Sequence, residues 1–256
     1  MTSKQHAIEG AAGNLQRARN ERKPIAPLRE LFAAGDVASA YAIQAHNTAA
    51  RIAAGGRLVG RKIGLTSKAV QQQLGVDQPD YGMLFADMAR CEALDIDLAD
   101  LLQPKVEAEV AFVLGRDLVD PRMTVADLYR AVEFVVPAIE IVDSRIANWD
   151  IGIVDTIADN ASSGLYVLGS SPARLGDADL RLVGMVMERR GEPVSVGAGA
   201  ACLGSPLNAL LWLVRIMAQT DYPLREGDTV LSGALGPTLA GAPFGSGRGD
   251  PLRFPW

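Results

Sequence analysis

The chain is poor in the side chains that most often carry chemistry. Its 256 residues include two histidines, His6 and His46, and two cysteines, Cys91 and Cys202. Two separated histidines give no basis for a multi-histidine metal site or a His-based triad. The cysteines form no C-x-x-C pair, so neither a disulfide framework nor a thiolate zinc site is expected. A buried structural thiol is the default reading for each. His46 falls in an Ala-rich helical stretch with nothing around it to suggest a dyad, which reads as a surface or packing histidine. Long apolar runs are also missing. No stretch nears the ~18 uninterrupted apolar residues of a membrane span, and the N-terminus has no signal-peptide core. Nor is there a basic excess: 25 Lys and Arg stand against 30 Asp and Glu, for a net charge of −5. The densest basic stretch, Arg17, Arg19, Arg22 and Lys23, is interrupted by Glu21. Nucleic acid and membrane are therefore not expected as partners, and a cytoplasmic protein is.

With His and Cys scarce, any metal must be held by oxygen ligands, which favours Mg²⁺ or Mn²⁺ over Zn²⁺. Candidate ligands occur where acids are least expected. Residues 104–114 alternate Val106, Ala108, Val110, Phe112 and Leu114 with other positions, the period of a β-strand. Glu107 and Glu109 then share the opposite face, about 7 Å apart along the strand. Either they belong to a solvated edge strand, or a divalent cation compensates them. Glu140 is a third unusual acid, set between Ile139 and Ile141 in a second apolar strand over residues 134–142 that contains Pro137. Lys62 lies in a strand over residues 58–65 and shares its face with Gly60 and Gly64, which leave room beside it. It is either a solvated edge lysine or an anion-binding or catalytic group.

The remaining elements fall around these strands. Residues 1–20 read as a polar helix whose stripe of Ile8, Ala11 and Leu15 is thin. Asp36 is the N-cap of an Ala-rich helix running to Ala54, with Tyr41, Ala45, Ala49 and Ile52 on one stripe and Gly55-Gly56 as its stop. Thr66-Ser67 caps a short helix to Leu74. Residues 75–82 are dense in turn formers and read as a loop, a lid or a connection. Thr124 and Asp127 resemble a capping box ahead of a helix ending at Ala131. Residues 149–159 read as irregular. A hairpin turns at Arg190-Gly191, Ser205-Pro206 opens a helix to Gln219, and a last strand covers residues 229–232.

Together these motifs resemble the 2-keto-4-pentenoate hydratase family of the fumarylacetoacetate hydrolase superfamily. The resemblance is carried by Gly60-Arg61-Lys62-Ile63-Gly64-Leu65-Thr66, by residues 71–82 including Asp80-Tyr81-Gly82, by residues 104–112, and by residues 154–164 including Asp159-Asn160-Ala161-Ser162-Ser163-Gly164. It keeps the motif order over residues 10–240. It implies an α+β fold, a mixed β-sheet rolled into a barrel-like core with surrounding helices. By residue it implies an N-terminal helical segment over 1–57 packed on the core, a catalytic domain over 58–240, and an atypical Gly/Pro-rich tail over 241–256 that is disordered or covers the sheet edge differently. It implies Mg²⁺ or Mn²⁺ on Glu107, Glu109 and Glu140, Lys62 as active-site lysine, and Asp80 and Ser162 at the substrate pocket.

The implied reaction adds water to 2-hydroxypenta-2,4-dienoate to give 4-hydroxy-2-oxopentanoate, with a Lewis acid on the C2 oxygen. Lys62 would move protons or stabilise an enolate, and a lysine beside a cation is expected to have a lowered pKa. Two alternatives stay open. One is 4-oxalocrotonate decarboxylase, a sister family with the same metal site. The other is a non-catalytic partner subunit in a pathway complex. The resemblance further implies a homo-oligomer that could bind a pathway decarboxylase or aldolase.

Overall fold

The computed structural model describes residues 3–33, 35–97 and 100–239; the tail assigned to 241–256 lies outside them. The helices are α1 (Ser3–Glu21), α2 (Val37–Ala53), α3 (Lys68–Leu74), α4 (Val125–Ala131), α5 (Ile153–Ala158) and α6 (Pro206–Met217). The strands are β1 (Leu58–Gly64), β2 (Asp80–Phe85), β3 (Ala89–Arg90), β4 (Pro104–Leu114), β5 (Val132–Asp143), β6 (Ser163–Leu168), β7 (Gly184–Arg189), β8 (Glu192–Ala198) and β9 (Thr229–Leu231).

Seven strands form one sheet in the order β2-β1-β9-β4-β5-β6-β3, and β7 and β8 form a separate hairpin. The sheet is mixed: β1–β9 and β3–β6 are parallel pairs, and the others are antiparallel. It curls into a half-barrel with helices around it, the α+β architecture the resemblance implies. The strand with the two acids is no edge. β4 lies between β9 and β5 and is buried on both faces over most of its length. Its apolar face of Val106, Ala108, Val110, Phe112 and Leu114 joins one buried cluster with Leu210, Leu213, Val214 and Met217 of α6.

A second apolar cluster joins the N-terminal helices to α5: Ile8, Ala11, Ala12, Leu15, Ala40, Ile43, Val154 and Ile157. The thin stripe on α1 is thus fully used, because its alanines allow α2 and α5 to approach. Asp36 caps α2 as expected, accepting from the Ser39 N–H at 3.1 Å. The buried face of α2, however, is Ser39, Ala40, Ile43, Gln44 and Thr48, not the predicted stripe, and Ala45 and Ala49 are exposed. Alanine on every side of the helix left the apolar pattern without direction. The segment read as irregular holds α5, whose Asp155 accepts from the N–H groups of Leu28 and Gly152 at 2.5 and 2.8 Å. The loop reading of residues 75–82 fails at its end, where Asp80, Tyr81 and Gly82 open β2 and pair with Gly64, Ile63 and Lys62.

Gly60 does not make room beside Lys62. A Cβ there would fall 1.8 Å from the Thr229 carbonyl oxygen, so this glycine admits the backbone of β9. Cys202 is buried as expected, but Cys91 is exposed. Among the described residues only Gly199–Met217 has the length and apolarity of a membrane span. Its helical part, α6, has 12 residues, about 18 Å against the ~30 Å of a bilayer core, and packs into the protein core.

Candidate metal and active site

Strand register builds the acid cluster. Glu107 of β4 stands directly opposite Glu140 of β5, and Glu109 follows Glu107 on the same face of β4. One carboxylate oxygen from each lies within 4.8 Å of the other two. Like charges facing each other across strands destabilise a sheet, and burial deepens the cost. Glu109 and Glu140 are 2% and 1% exposed.

The curl of the sheet brings Lys62 from β1 to Glu140, three strands away in sheet order. Lys62 Nζ lies 3.1 Å from Glu140 Oε2 and donates a 2.9 Å hydrogen bond to the Ala161 carbonyl. The contact with Glu140 is an ion pair without hydrogen-bond alignment, since neither Glu140 oxygen has a hydrogen-bond partner. Glu109 Oε2 accepts from the Gly233 N–H at 2.7 Å, while its Oε1 has none. The half-buried Glu107 accepts from the Thr238 hydroxyl.

Asp80 is also fully buried. Its Oδ2 accepts from Thr156 Oγ1 at 3.1 Å, and its Oδ1 is unpartnered. A Cβ on Gly64 would stand 2.2 Å from Asp80 Oδ1 and 3.6 Å from Lys62 Nζ. Here the reading of a glycine that leaves room beside Lys62 is borne out by geometry, and what the room admits is Asp80. Ser162, next to the carbonyl that receives Lys62, is 3% exposed with an unpartnered Oγ.

The fields in the site follow from this crowding. Burial is the largest influence on Glu109 and, with Glu140 and Glu107 beside it, holds its carboxyl well above the usual range. Burial pushes Glu140 up to about 7 against the pull of Lys62. Asp80 is raised by burial, opposed by Lys62 and Thr156. For Lys62 burial disfavours the ammonium, but Glu140, Glu107, Asp80 and Glu109 together outweigh it and raise the value above that of an ordinary lysine. The protein's own carboxylates thus act on this lysine in the direction opposite to the lowering expected beside a cation.

Three carboxylates converge with three unpartnered buried oxygens and one ammonium nearby. That is an oxygen-only, net anionic donor set, and it fits a hard divalent cation. Sequence reasoning did not anticipate Thr156, the Ala161 carbonyl, the Gly233 N–H or Thr238. Thr156 and Ala161 lie within the residues 154–164 that carried the resemblance. Thr238 had no local signal.

The chain is similar to known proteins over most of its length. The family model described as "Fumarylacetoacetate (FAA) hydrolase C-terminal" matches residues 59–253. The "TodF product hydratase" of Pseudomonas putida is 66% identical over 238 residues, covering 93% of this chain and 89% of that one. The "2-keto-4-pentenoate hydratase" of Paraburkholderia xenovorans is 60% identical over 92% of this chain and 87% of its own. Among solved structures, a 4-oxalocrotonate decarboxylase from Pseudomonas putida G7, complexed with magnesium and adipate, superposes with a TM-score of 0.87 at 32% identity. It covers 95% of this chain and 92% of that one.

Proposed function

Because the chain belongs to the fumarylacetoacetate hydrolase C-terminal family, we propose that it is a hydro-lyase that adds water to 2-hydroxypenta-2,4-dienoate and yields 4-hydroxy-2-oxopentanoate. The observation that carries this reading is the convergence of Glu107, Glu109 and Glu140 within 4.8 Å of one another, with Lys62 3.1 Å from Glu140. The 66% and 60% identity to proteins named as hydratases supports the choice of reaction. The three glutamates would hold Mg²⁺ or Mn²⁺. Such an ion supplies Lewis acidity toward the C1 carboxylate and C2 oxygen of a 2-oxo acid.

The chain's own groups then divide the proton work. Conversion of the dienol to the 2-oxo-3-enoate needs a proton at C5; addition of water at C4 then needs one at C3. Lys62 is buried and holds its proton against Glu140, Glu107, Asp80 and Glu109, and it is the group assigned to these transfers. Asp80 has one oxygen anchored by Thr156 and one unpartnered, so it is suited to orient the attacking water or the ammonium. The unpartnered Ser162 hydroxyl offers a donor and acceptor to substrate. The reading carries with it a cytoplasmic homo-oligomer in the degradation of aromatic compounds by ring cleavage, with a pathway decarboxylase or aldolase as possible partner.

A second reading has a specific observation behind it. The decarboxylase neighbour shares the fold over nearly the whole chain, and a metal-stabilised enolate would serve loss of a distal carboxylate equally well. One experiment separates the two. Freshly made 2-hydroxypenta-2,4-dienoate is mixed with the protein in Mg²⁺, in Mn²⁺ and in chelator, and the diene absorbance is followed with mass analysis of the product. The hydratase reading expects metal-dependent loss of the diene and gain of one water. No turnover there, with CO₂ released from 2-oxohex-3-enedioate, would replace it by the decarboxylase.

A further inference from the structure

Three consecutive residues beside the site, Asn160, Ala161 and Ser162, have left-handed backbones with φ of 56°, 51° and 52°. Residues carrying a Cβ avoid this region, asparagine least of all. A run of three forms a tight turn that needs something to hold it. The Asn160 side chain does so at two points. Its Oδ1 accepts from the Met83 N–H at 2.7 Å, and its Nδ2 donates to the Met83 carbonyl at 2.9 Å.

Met83 lies on β2, the outer strand of the sheet on that side. It stands opposite Arg61 of β1 and directs its peptide groups outward, where a further strand would otherwise pair. The Asn160 carboxamide takes that strand's place. β6 begins at Ser163, one residue past the turn, so the amide joins the unpaired edge of β2 to the entry of β6. It closes the seam left open by the curled sheet. Glycine at position 82 permits the closure, since a Cβ there would lie 2.4 Å from the Asn160 carbonyl oxygen and 2.8 Å from Ser163 Oγ. The turn so held presents the Ala161 carbonyl that receives Lys62 Nζ at 2.9 Å and the unpartnered Ser162 hydroxyl.

We infer that Asn160 is a positioning residue for the reaction: its two-point clamp on the Met83 peptide fixes the left-handed turn that aims Lys62 and orients Ser162. Both polar atoms of the Asn160 carboxamide are taken up by the Met83 peptide, so it acts through the turn. The inference rests on the proposed hydratase reaction, and wild-type turnover of 2-hydroxypenta-2,4-dienoate is measured first so that a failure of that reading is seen separately.

The test is Asn160→Gly. Glycine adopts the left-handed backbone without strain but has no carboxamide, so strain relief and clamp loss are set against each other. The expected result is a kcat lower by about 100-fold, the scale of a 1 Å misplacement of a reacting group. KM, Mn²⁺ affinity by calorimetry and the circular dichroism spectrum should stay near wild type. Asn148→Gly, at an exposed asparagine with φ of 60°, serves as the control and should leave kcat unchanged. A fully active Asn160→Gly enzyme would overturn the inference, as would one whose loss appears wholly in Mn²⁺ affinity. If the variant does not fold, hydrogen exchange in the wild-type protein decides. A Met83 amide protected like the interior of β4 supports the clamp, and one that exchanges as fast as an exposed loop overturns it.

Discussion

Lys62→Met asks whether the acid cluster depends on a cation. Lys62 is 3% exposed, and its ammonium faces Glu140, Glu107, Asp80 and Glu109. Methionine keeps the length and removes the charge. At the observed 3.1 Å and an effective dielectric of ~20, the attraction to Glu140 alone is about 5 kcal/mol before desolvation. Breaking a buried pair by removing one partner costs about 3–5 kcal/mol net. For a chain of this size, about 3 kcal/mol lowers Tm by roughly 6–12 °C. The loss should be largest in chelator at pH 8. It should shrink at pH 6, because Glu140, already at about 7 with the lysine present, rises further without it and takes up a proton. Mn²⁺ at 100 times its Kd adds about 2.7 kcal/mol to either protein by mass action, which should bring the variant most of the way back to the stability of chelated wild type. Activity with Mn²⁺ should nevertheless stay low, by about 10²–10⁴-fold against wild type, at both pH values. The assay is calorimetric unfolding of both proteins at the two pH values, with chelator and with Mn²⁺. A chelated variant as stable as wild type at pH 8 would refute the reasoning. So would manganese that stabilises wild type and not the variant.

Three further outcomes follow from contacts around the site. Thr238→Val removes the hydroxyl that donates to Glu107 and should weaken Mn²⁺ binding by about 10-fold, the scale of an outer partner of a metal ligand; titration calorimetry reads it, and unchanged affinity would separate Glu107 from the metal. Gly64→Ala sets a methyl 2.2 Å from Asp80 Oδ1, so kcat should fall by about 10–100-fold while circular dichroism stays native, and retained turnover would remove Asp80 from the reaction. Arg145→Met leaves Asp159 without the guanidinium that donates to it and without the 2.9 Å bond from Arg145 Nη1 to the Ser163 carbonyl. Burial pushes Asp159 up to about 6 even against Arg145; a carboxyl raised in the folded state loses stability as pH climbs from its unfolded value near 4 through its folded one. The variant raises Asp159 further, so its cost in urea unfolding should be larger at pH 8, about 3–5 kcal/mol, than at pH 5; equal costs would show that the carboxylate is not the group left stranded.

The acids were legible because strand periodicity is a local property. Val106 to Leu114 announce β4, and an acid at every second position of a buried-looking strand needs an explanation wherever the strand lies. The cross-strand match of Glu107 with Glu140 was not legible, because register is set by pairing between distant segments. Asp80 was misplaced in a loop for a related reason. Gly75, Pro79 and Gly82 signal turns, but Gly82 serves close approach inside β2. The face of α2 was lost to its alanines, which fit any side of a helix. α5 was lost to its brevity and to a cap, Gly152, that carries no side-chain signal.

The position of the site on the half-barrel explains why its supports are so scattered. Three buried carboxyls and the half-buried Glu107 beside one ammonium would push neighbouring strands apart, so the strands that carry them must be fixed from outside. β4 and β5 are held by the longest antiparallel register in the sheet and by the apolar cluster behind them, where Phe112, Ile139 and Leu213 are all buried. β1 is fixed differently: β9 lies against it through Gly60, and β2 pairs on its other side. The segment that closes the barrel cannot be a strand, because it must also turn its carbonyl and hydroxyl groups toward Lys62. A left-handed turn locked by a side-chain amide meets both demands, satisfying an edge peptide outward and presenting polar groups inward. The longest run of left-handed non-glycine residues among the described ones therefore sits where the sheet could not close and where the proposed chemistry needs its polar groups aimed.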